Sequence, residues 1–307
     1  MDVSTSIASM KHVKISWPEK PSKKQNWLLP DSMIFYIAKN PSSSKVYQKL
    51  IQSCKYFFEK NPVLIVTKLE SCEEKDGINT IMCPNEYCEC INNAKKCCIK
   101  FDLKKLKLSS KIWVTHELYV VFGVKNYTSL LCIKLFRCEA DHVYLNEKTV
   151  KYDDFKLFTS TAKSIILSKN LITYKDGSIV MFDKILECLP KVEMLEFTFD
   201  DEVSIVNAST MEIIPNLPSL EEVGLHEIPE TLNIGAVNTF IKKYKKAKFQ
   251  LFYNKNISLE FKNQLESHIV KIIKSNVRNC LIKYDGQDRE KFRIMIHRFF
   301  NFMTSDT

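Results

Sequence analysis

Apolar positions in the second half of the chain recur as triplets with offsets of 0, +3 and +5. The middle residues of five such triplets follow one another at steps of 30, 28, 26 and 31 residues. The triplets are Ala162/Ile165/Leu167, Val192/Leu195/Phe197, Leu220/Val223/Leu225, a weaker Lys246/Phe249/Leu251, and Val277/Cys280/Ile282. A repeat of this length, with a short strand pattern followed by a helical one, predicts stacked strand-and-helix units, which is a solenoid.

Apolar residues with helical spacing separate the triplets. They predict helices over residues 154–160, 180–189, 207–216, 234–246 and 258–275, and an amphipathic segment over 289–303 that caps the open end of the stack. A further triplet, Ala140/Val143/Leu145, precedes the others by one short step of 22 residues. The solenoid is therefore expected to begin near residue 110.

Two helical patterns near the N-terminus predict a compact helical unit. Pro30 suits the first turn of a helix and Asp31 its positive end, and Met33, Ile34, Ile37 and Ala38 then share one face. The break at residues 40–43 separates this helix from a second pattern over 46–58, which Asn61-Pro62 ends. Residues 1–26 contain many lysines and few apolar residues, so they are predicted to form a disordered basic tail.

The segment between the two patterned regions, residues 65–110, is predicted to connect them. Residues 63–66 indicate a buried strand, 70–77 an acidic loop, and 111–122 and 130–136 further strands. The predicted order is thus a basic tail, a helical unit over 27–64, a Cys-rich connecting segment, and a solenoid over 111–307.

The chain has 11 cysteines, and five of them lie within residues 83–98. Thiolates are good zinc ligands, but the spacing C-x4-C-x-C-x6-C-C lacks the paired C-x-x-C knuckles of a zinc site. The odd count and the lack of a signal-peptide pattern favour reduced thiols in an intracellular protein. We therefore predict no metal and no other cofactor, and zinc is the less favoured alternative.

Charge and motifs argue against an enzyme and against a membrane protein. The net charge of +9 includes lysine runs at 11–24, 100–111 and 242–248, which solvated helix faces explain better than phosphate contacts, so nucleic acid is the less favoured partner. His116-Glu117 begins like a metalloprotease helix, but Val120 stands where the second histidine is required. No apolar stretch approaches the length of a membrane span. We expect no catalytic residues.

The helical unit resembles the F-box, the three-helix module that docks on the adaptor of a cullin-RING ubiquitin ligase. The family's Leu-Pro, isoleucine, Cys-Lys and aromatic positions are matched, within one residue, by Leu29, Pro30, Ile37, Cys54, Lys55 and Phe57. Two positions depart from the family: Asn40-Pro41 interrupts the place of a late leucine in helix one, and Ser53 replaces a valine. The resemblance covers about an eighth of the chain and implies that these six residues bind the adaptor.

An F-box followed by leucine-rich-like repeats is a plan found in divergent F-box proteins of the kind expanded in nematodes. The resemblance implies an α/β fold and a non-enzymatic adaptor of an SCF-type ligase, with the Skp1-type adaptor and cullin scaffold as partners. The repeats would then bind an unknown protein target through exposed strand residues such as Glu193, Glu196, Glu222, Gln250 and Lys283. The asparagine typical of leucine-rich repeats is missing, so an irregular stack is expected. The alternative is a stand-alone interaction scaffold or a basic solenoid that binds nucleic acid.

Overall fold

The computed structural model describes residues 25–74, 77–84, 98–101, 103, 110–121, 127–146, 149–200, 205–206 and 216–304. The chain divides into two compact units, Met1–Pro62 and Val63–Thr307, which we call the helical unit and the sheet unit. The α/β class predicted from the sequence is confirmed. The predicted tail falls almost wholly outside the described residues.

The helical unit contains α1 (Asp31–Lys39), α2 (Ser44–Ser53) and α3 (Lys55–Lys60). Ser43 begins α2, because its side chain accepts a hydrogen bond from the Val46 N–H at 3.2 Å. Cys54 is extended, with φ −155° and ψ 130°, and this residue separates α2 from α3 within the second helical pattern. Ile34, Ala38 and Phe57 form the apolar core of the unit.

A buried polar pair also connects the three helices. Tyr47 is fully buried, and its hydroxyl donates a hydrogen bond to the Asn61 carbonyl. The Asn61 side-chain amide donates to the Ala38 carbonyl at 3.0 Å. Because buried polar groups are costly when unpaired, these two bonds fix the end of α3 against α1 and α2.

The sheet unit contains thirteen strands and six helices in its described part. The strands are β1 (Val63–Glu74), β2 (Gly77–Cys83), β3 (Ile99–Phe101), β4 (Lys111–Val120), β5 (Leu135–Cys138), β6 (His142–Leu145), β7 (Thr149–Lys151), β8 (Ser164–Ser168), β9 (Leu171–Thr173), β10 (Met194–Thr198), β11 (Glu222–Ile228), β12 (Lys248–Tyr253) and β13 (Cys280–Lys283). The helices are α4 (Tyr127–Lys134), α5 (Tyr152–Thr159), α6 (Phe182–Glu187), α7 (Ile234–Lys243), α8 (Leu259–Lys274) and α9 (Arg289–Thr304).

Most strands of the large sheet are parallel and follow one another in chain order. The order is β13-β12-β11-β10-β8-β6-β4-β1-β2-β3, and every pair from β1 to β13 along this path is parallel. β2 and β3 extend the opposite edge as antiparallel strands, β5 pairs with β4, and β7 and β9 form a separate two-stranded sheet. Each strand after β4 on this path thus lies beside the strand of the preceding repeat.

The apolar triplets explain this register. Their middle residues, Ile165, Leu195, Val223, Phe249 and Cys280, are direct neighbours across five adjacent strands. Their last residues form a second row, and the further triplet at residues 140–145 joins both rows. The fourth triplet is irregular at its first position, where exposed Lys246 is replaced in the core by fully buried Ala247.

One face of the sheet is buried and the other is open. In β8, β10 and β12 the residues alternate between buried and half-exposed, as expected for a pleated strand covered on one side. The buried residues share one apolar cluster with Phe155, Phe182, Phe240 and Leu265 of helices α5 to α8. The alternate residues, which we call the open face, are His142, Tyr144, Ser164, Ile166, Ser168, Met194, Glu196, Thr198, Glu222, His226, Lys248, Gln250, Phe252 and Lys283.

The predicted helices are confirmed over 154–160, 180–189, 234–246, 258–275 and 289–303, with ends that shift by a few residues. The predicted helix over 207–216 lies outside the described residues, apart from Asn216. Helices α7 and α8 begin where the sequence supplies caps, because Asn233 and Ser258 accept hydrogen bonds from the N–H groups of Ala236 and Phe261.

Two local predictions are wrong. The prediction of an acidic loop over residues 70–77 is wrong for its described residues, because β1 continues to Glu74 and β2 begins at Gly77. Buried Ser71 accepts a hydrogen bond from the Val121 N–H at 3.1 Å, so its hydroxyl is satisfied inside the sheet. Residues 130–136 are not a strand: they form the end of α4 and the start of β5. A short apolar run does not distinguish a buried strand from a buried helix.

The segment over 65–110 is also more than a connection. Its described residues form most of β1, all of β2 and β3, and so belong to the same large sheet as the repeats. Threonine hydroxyls join these strands to the rest of the unit: buried Thr80 is hydrogen-bonded to the Tyr127 hydroxyl of α4 at 2.7 Å. This part of the chain is therefore one edge of the sheet.

Candidate functional site

The helical unit exposes a group of large apolar side chains. They are Leu28, Leu29, Met33, Phe35, Tyr36 and Val46, and we call them the apolar surface. Leu28 is fully exposed, and even Leu29 keeps 44 % of its surface in contact with solvent. A unit of this size would gain stability by burying them, since each such side chain contributes about 1.5–3 kcal/mol when buried. Groups of exposed apolar side chains are common where proteins bind one another.

The six residues predicted to bind an adaptor have different environments. Leu29 belongs to the apolar surface, and Pro30, the next residue, is also exposed. Ile37 and Cys54 are instead half-buried against the core. Lys55 forms an ion pair with Glu59 at 3.4 Å. Phe57 is only 4 % exposed and contacts the Trp27 ring, so it stabilises the unit from inside. Leu29 and Pro30 are therefore the most accessible of the six.

Three residues of the apolar surface, Met33, Phe35 and Tyr36, lie on α1 outside its buried stripe. The sequence predicted Met33 on the same face as Ile34 and Ala38, but Met33 is 50 % exposed while the other two are buried. The sequence of α1 contains more apolar residues than one buried stripe can hold, since Phe35 and Tyr36 fall outside the stripe of Ile34 and Ala38. This excess could have predicted exposed apolar side chains.

The open face of the sheet unit carries polar and aromatic residues at regular spacing. Gln250 donates a hydrogen bond to the Glu222 carboxylate at 3.0 Å across the β11–β12 pair. Glu196 lies beside them on β10, and Glu193 at the start of this strand pairs with Lys163 at 3.1 Å. The sequence predicted five target-contacting residues, and all five are at least partly exposed to solvent on or beside this face. They are Glu193, Glu196, Glu222, Gln250 and Lys283.

At the carboxyl ends of β11, β12 and β13 the open face contains a cavity of about 510 Å³. We call it the terminal cleft, and its main lining residues are His226, Phe252, Lys255, Lys283, Arg289 and Phe292. The last two come from the first turns of α9, which forms one wall. Ligands commonly bind at the carboxyl ends of parallel strands, and this volume lies in the usual range for a ligand site.

A second concave region is lined by lysines. Lys242, Lys243, Lys245, Lys246 and Lys248 surround a cavity of about 750 Å³ at the end of α7 and the start of β12. Glu221 is the one carboxylate among its lining residues. The lysine run predicted to be a solvated face therefore curves around a recess, which we call the lysine recess.

The Cys-rich segment contains a disulfide, which corrects the prediction of reduced thiols throughout. Cys83 and Cys98 are bonded, because Met82 and Ile99 pair across antiparallel β2 and β3 and so bring the next residues of each strand together. Cys88, Cys90 and Cys97 lie outside the described residues. Within the described ranges, no group of three or more His, Cys, Asp or Glu side chains could hold a metal ion.

Two thiols in the sheet core should be chemically inert in the folded protein. Burial raises the pKa of Cys280 from 9.0 to about 12 and that of Cys138 from 9.0 to about 11. Since each pKa unit lowers the thiolate fraction about tenfold, iodoacetamide at pH 8 should modify both residues at least about a hundredfold more slowly before unfolding than after it. Peptide mass mapping after timed labelling measures this ratio, and equal rates in the two states would contradict the burial.

Comparison with models of known protein families, with curated proteins and with solved structures found no match. In the described part of the chain, none of the helices has the length and apolar character needed to cross a membrane. The resemblance to the F-box and to leucine-rich repeats therefore rests on the residues of the sequence alone.

Proposed function

We propose that the protein is a non-enzymatic adaptor that recruits a target protein to an SCF-type cullin-RING ubiquitin ligase. The helical unit docks on the Skp1-type adaptor, and the repeats of the sheet unit form a leucine-rich-repeat-like solenoid that binds the target. The observation that carries this proposal is the apolar surface, six large exposed side chains between residues 28 and 46.

The physical argument begins with the size of the helical unit. Its described core is a cluster of three buried apolar residues, Ile34, Ala38 and Phe57, with partly buried neighbours around them, and Tyr47 is buried besides. Such a unit has little stability to spare, yet it leaves Leu28, Met33 and Tyr36 in water. Exposed aromatic and aliphatic side chains grouped in one stretch are the usual anchors of protein interfaces.

The open face supplies the second half of the proposed function. Parallel strands in chain order create an extended surface, on which neighbouring residues belong to successive repeats. Apart from Ile166 and Met194, the described residues of this face are polar or aromatic, such as Glu196, Glu222 and Gln250. Holding a target there raises its local concentration near the ligase, so binding geometry replaces catalysis.

Binding of the purified chain to the adaptor, measured by calorimetry, tests the proposal. Replacing Leu29 and Met33 together by aspartate should weaken binding roughly a hundredfold, because two interface anchors are lost and two charges would be desolvated. Leu259 is 75 % exposed and lies on α8 in the sheet unit, so Leu259→Asp is the matched control and should bind normally. If the intact, folded chain binds no adaptor of this type, the proposal is wrong.

The lysine recess supports one alternative, a basic solenoid that binds nucleic acid. Five lysines that contact five phosphates would give a salt dependence with a log–log slope of about −4.5 for duplex DNA and about −3.5 for a single strand. Filter binding of single- and double-stranded polynucleotide at 50 and 200 mM salt measures this slope. Changing Lys242 and Lys246 to glutamine should reduce the slope by about two, and an unchanged slope would exclude the recess as the site.

A further inference from the structure

We propose that the terminal cleft binds an anionic side chain, a phosphate monoester or a carboxylate, that is flanked by apolar residues in an extended peptide. This inference rests on the proposed function only in taking the peptide to be part of the recruited target. Three independent features of the cleft support it: its charge, its aromatic walls, and the local backbone that shapes it.

The charge comes from three cations that converge on the cleft. Lys255, Lys283 and Arg289 all line it, and none of them forms an ion pair with another described residue. By contrast, Lys291, two residues further on α9 than Arg289, pairs with Glu266. The cleft therefore presents cations whose charge the protein itself leaves uncompensated.

The carboxylates of the cleft do not cancel this charge. Glu227 and Asp285 are the acidic lining residues, which leaves an excess of one positive charge when all five groups are ionised. A cavity lined by net positive charge concentrates anions and strengthens their interaction as water is displaced. An anion therefore has a favourable position in this cleft, whereas a cation does not.

Aromatic side chains form the apolar part of the cleft. The His226 and Phe252 rings lie with their centroids 5.0 Å apart on the open face. The Lys283 ammonium lies 5.8 Å from the centroid of the Phe292 ring, which is part of α9. A ligand that combines an anionic group with apolar neighbours can contact both the cations and the aromatic rings. An inorganic anion would contact only the cations.

The backbone shapes the cleft through a bulge in β11. Leu225 pairs with Leu251 and Ile228 with Tyr253, so His226 and Glu227 together face a single residue of β12. Glu227 has a φ of 53°, a left-handed conformation that is unfavourable for a residue with a side chain. Bulges of this kind commonly redirect side chains beside binding sites.

Gly224 completes the local arrangement around His226. A Cβ atom at this position would lie 3.3 Å from His226 Nε2 and 3.3 Å from Glu196 Cγ. The His226 imidazole therefore lies over Gly224 and beside the Phe252 ring. Because residue 224 has no side chain, the imidazole can occupy the space above it. A side chain at residue 224 would require His226 or Glu196 to shift.

The open face provides a path for the rest of a peptide. Residues Ser168, Thr198 and His226 are neighbours across three strands, and Phe252 and Lys283 continue the row across two more. Strands lie about 4.8 Å apart and an extended peptide rises about 3.3 Å per residue, so a peptide that crosses them passes over several successive repeats. The cleft is at the end of this row, where α9 closes the sheet.

Fluorescence polarisation of labelled octapeptides with the purified full chain tests the inference. Each peptide consists of glycines with two leucines that flank a central phosphoserine, glutamate or serine. The phosphoserine or glutamate peptide should bind at least about tenfold more tightly than the serine peptide, and the ratio between the two anions shows whether phosphate or carboxylate is preferred.

The Lys255→Ala/Lys283→Ala variant should abolish this difference between anionic and serine peptides. Both residues are exposed and outside helices, so the variant should fold normally, which its thermal unfolding checks. Lys191→Ala, which removes one exposed lysine far along the chain from the cleft residues, is the control and should bind as the unaltered chain does.

Equal binding of anionic and serine peptides, or unchanged binding by the double variant, would overturn the inference. The measurement uses no ligase component, so it is separate from the adaptor-binding test. A chain that binds the adaptor but no anionic peptide would disprove only the assignment of the cleft. A chain that binds the peptide but no adaptor would disprove the ligase role and keep the site.

Discussion

Replacing Phe197 by alanine is expected to lower the free energy of unfolding of the sheet unit by about 3–5 kcal/mol. Phe197 is 1 % exposed, and its ring packs against Phe182 and Phe199 at centroid distances of 4.9 and 4.8 Å. Alanine would leave a cavity in the middle of the sheet, between neighbours that β8 and β11 hold in place. Urea unfolding followed by tryptophan fluorescence measures the loss as a shift of the midpoint.

The adjacent residue provides the control. Glu196 lies on the open face of the same strand and is half-exposed, so Glu196→Ala should change the free energy of unfolding by less than about 0.5 kcal/mol. Comparable effects of the two substitutions would show that the two faces of β10 are not differently buried. That result would contradict the alternation on which the open face is defined.

Replacing Tyr47 by alanine is expected to unfold the helical unit selectively. The substitution removes a fully buried ring and the hydroxyl that donates to the Asn61 carbonyl, a combined loss of about 3–5 kcal/mol. A unit of about forty residues has little more than that to lose. Hydrogen exchange should show amides of α1, α2 and α3 exchanging rapidly while strands of the sheet unit keep their protection.

Tyr47→Phe separates the two contributions. It keeps the ring and removes only the hydroxyl, so it should cost about 1–2 kcal/mol and leave the helices measurably protected. If alanine leaves exchange in the helical unit unchanged, Tyr47 does not hold its helices together. If alanine deprotects the sheet unit equally, the two units unfold as one.

The strands of the repeats were predictable because each apolar triplet of the sequence forms one strand of the parallel sheet. Ile165, Leu195 and Val223 recur at a nearly constant interval, and neighbouring repeats place them side by side. The error over residues 130–136 has a physical cause. Leu131 is buried in a helix and Leu135 is buried in a strand, so the apolar pattern is the same in both. Local apolar content fixes burial in such a run, and pairing with β4 decides where the strand starts.

The candidate sites were predictable only in part. Leu29 was identified by its motif position, but Leu28 and Tyr36 belong to the same surface and follow no family pattern. The terminal cleft could not be predicted, because it combines residues from three strands with the start of α9. Its shape also depends on the bulge at Glu227 and on Gly224, whose roles appear only when β11 is aligned with its neighbours.

Chain-order pairing of the parallel strands also affects how this protein is made. Beyond β4, each new strand finds its partner in the repeat that was synthesised just before it, so loop closure is short at every step. The sheet can therefore grow on the ribosome one repeat at a time, and each strand waits for the next one to pair with it. Until then, the edge of the newest strand is unpaired, and stalled or truncated chains would offer that edge to one another. Prompt pairing of each new strand is thus what limits aggregation during synthesis.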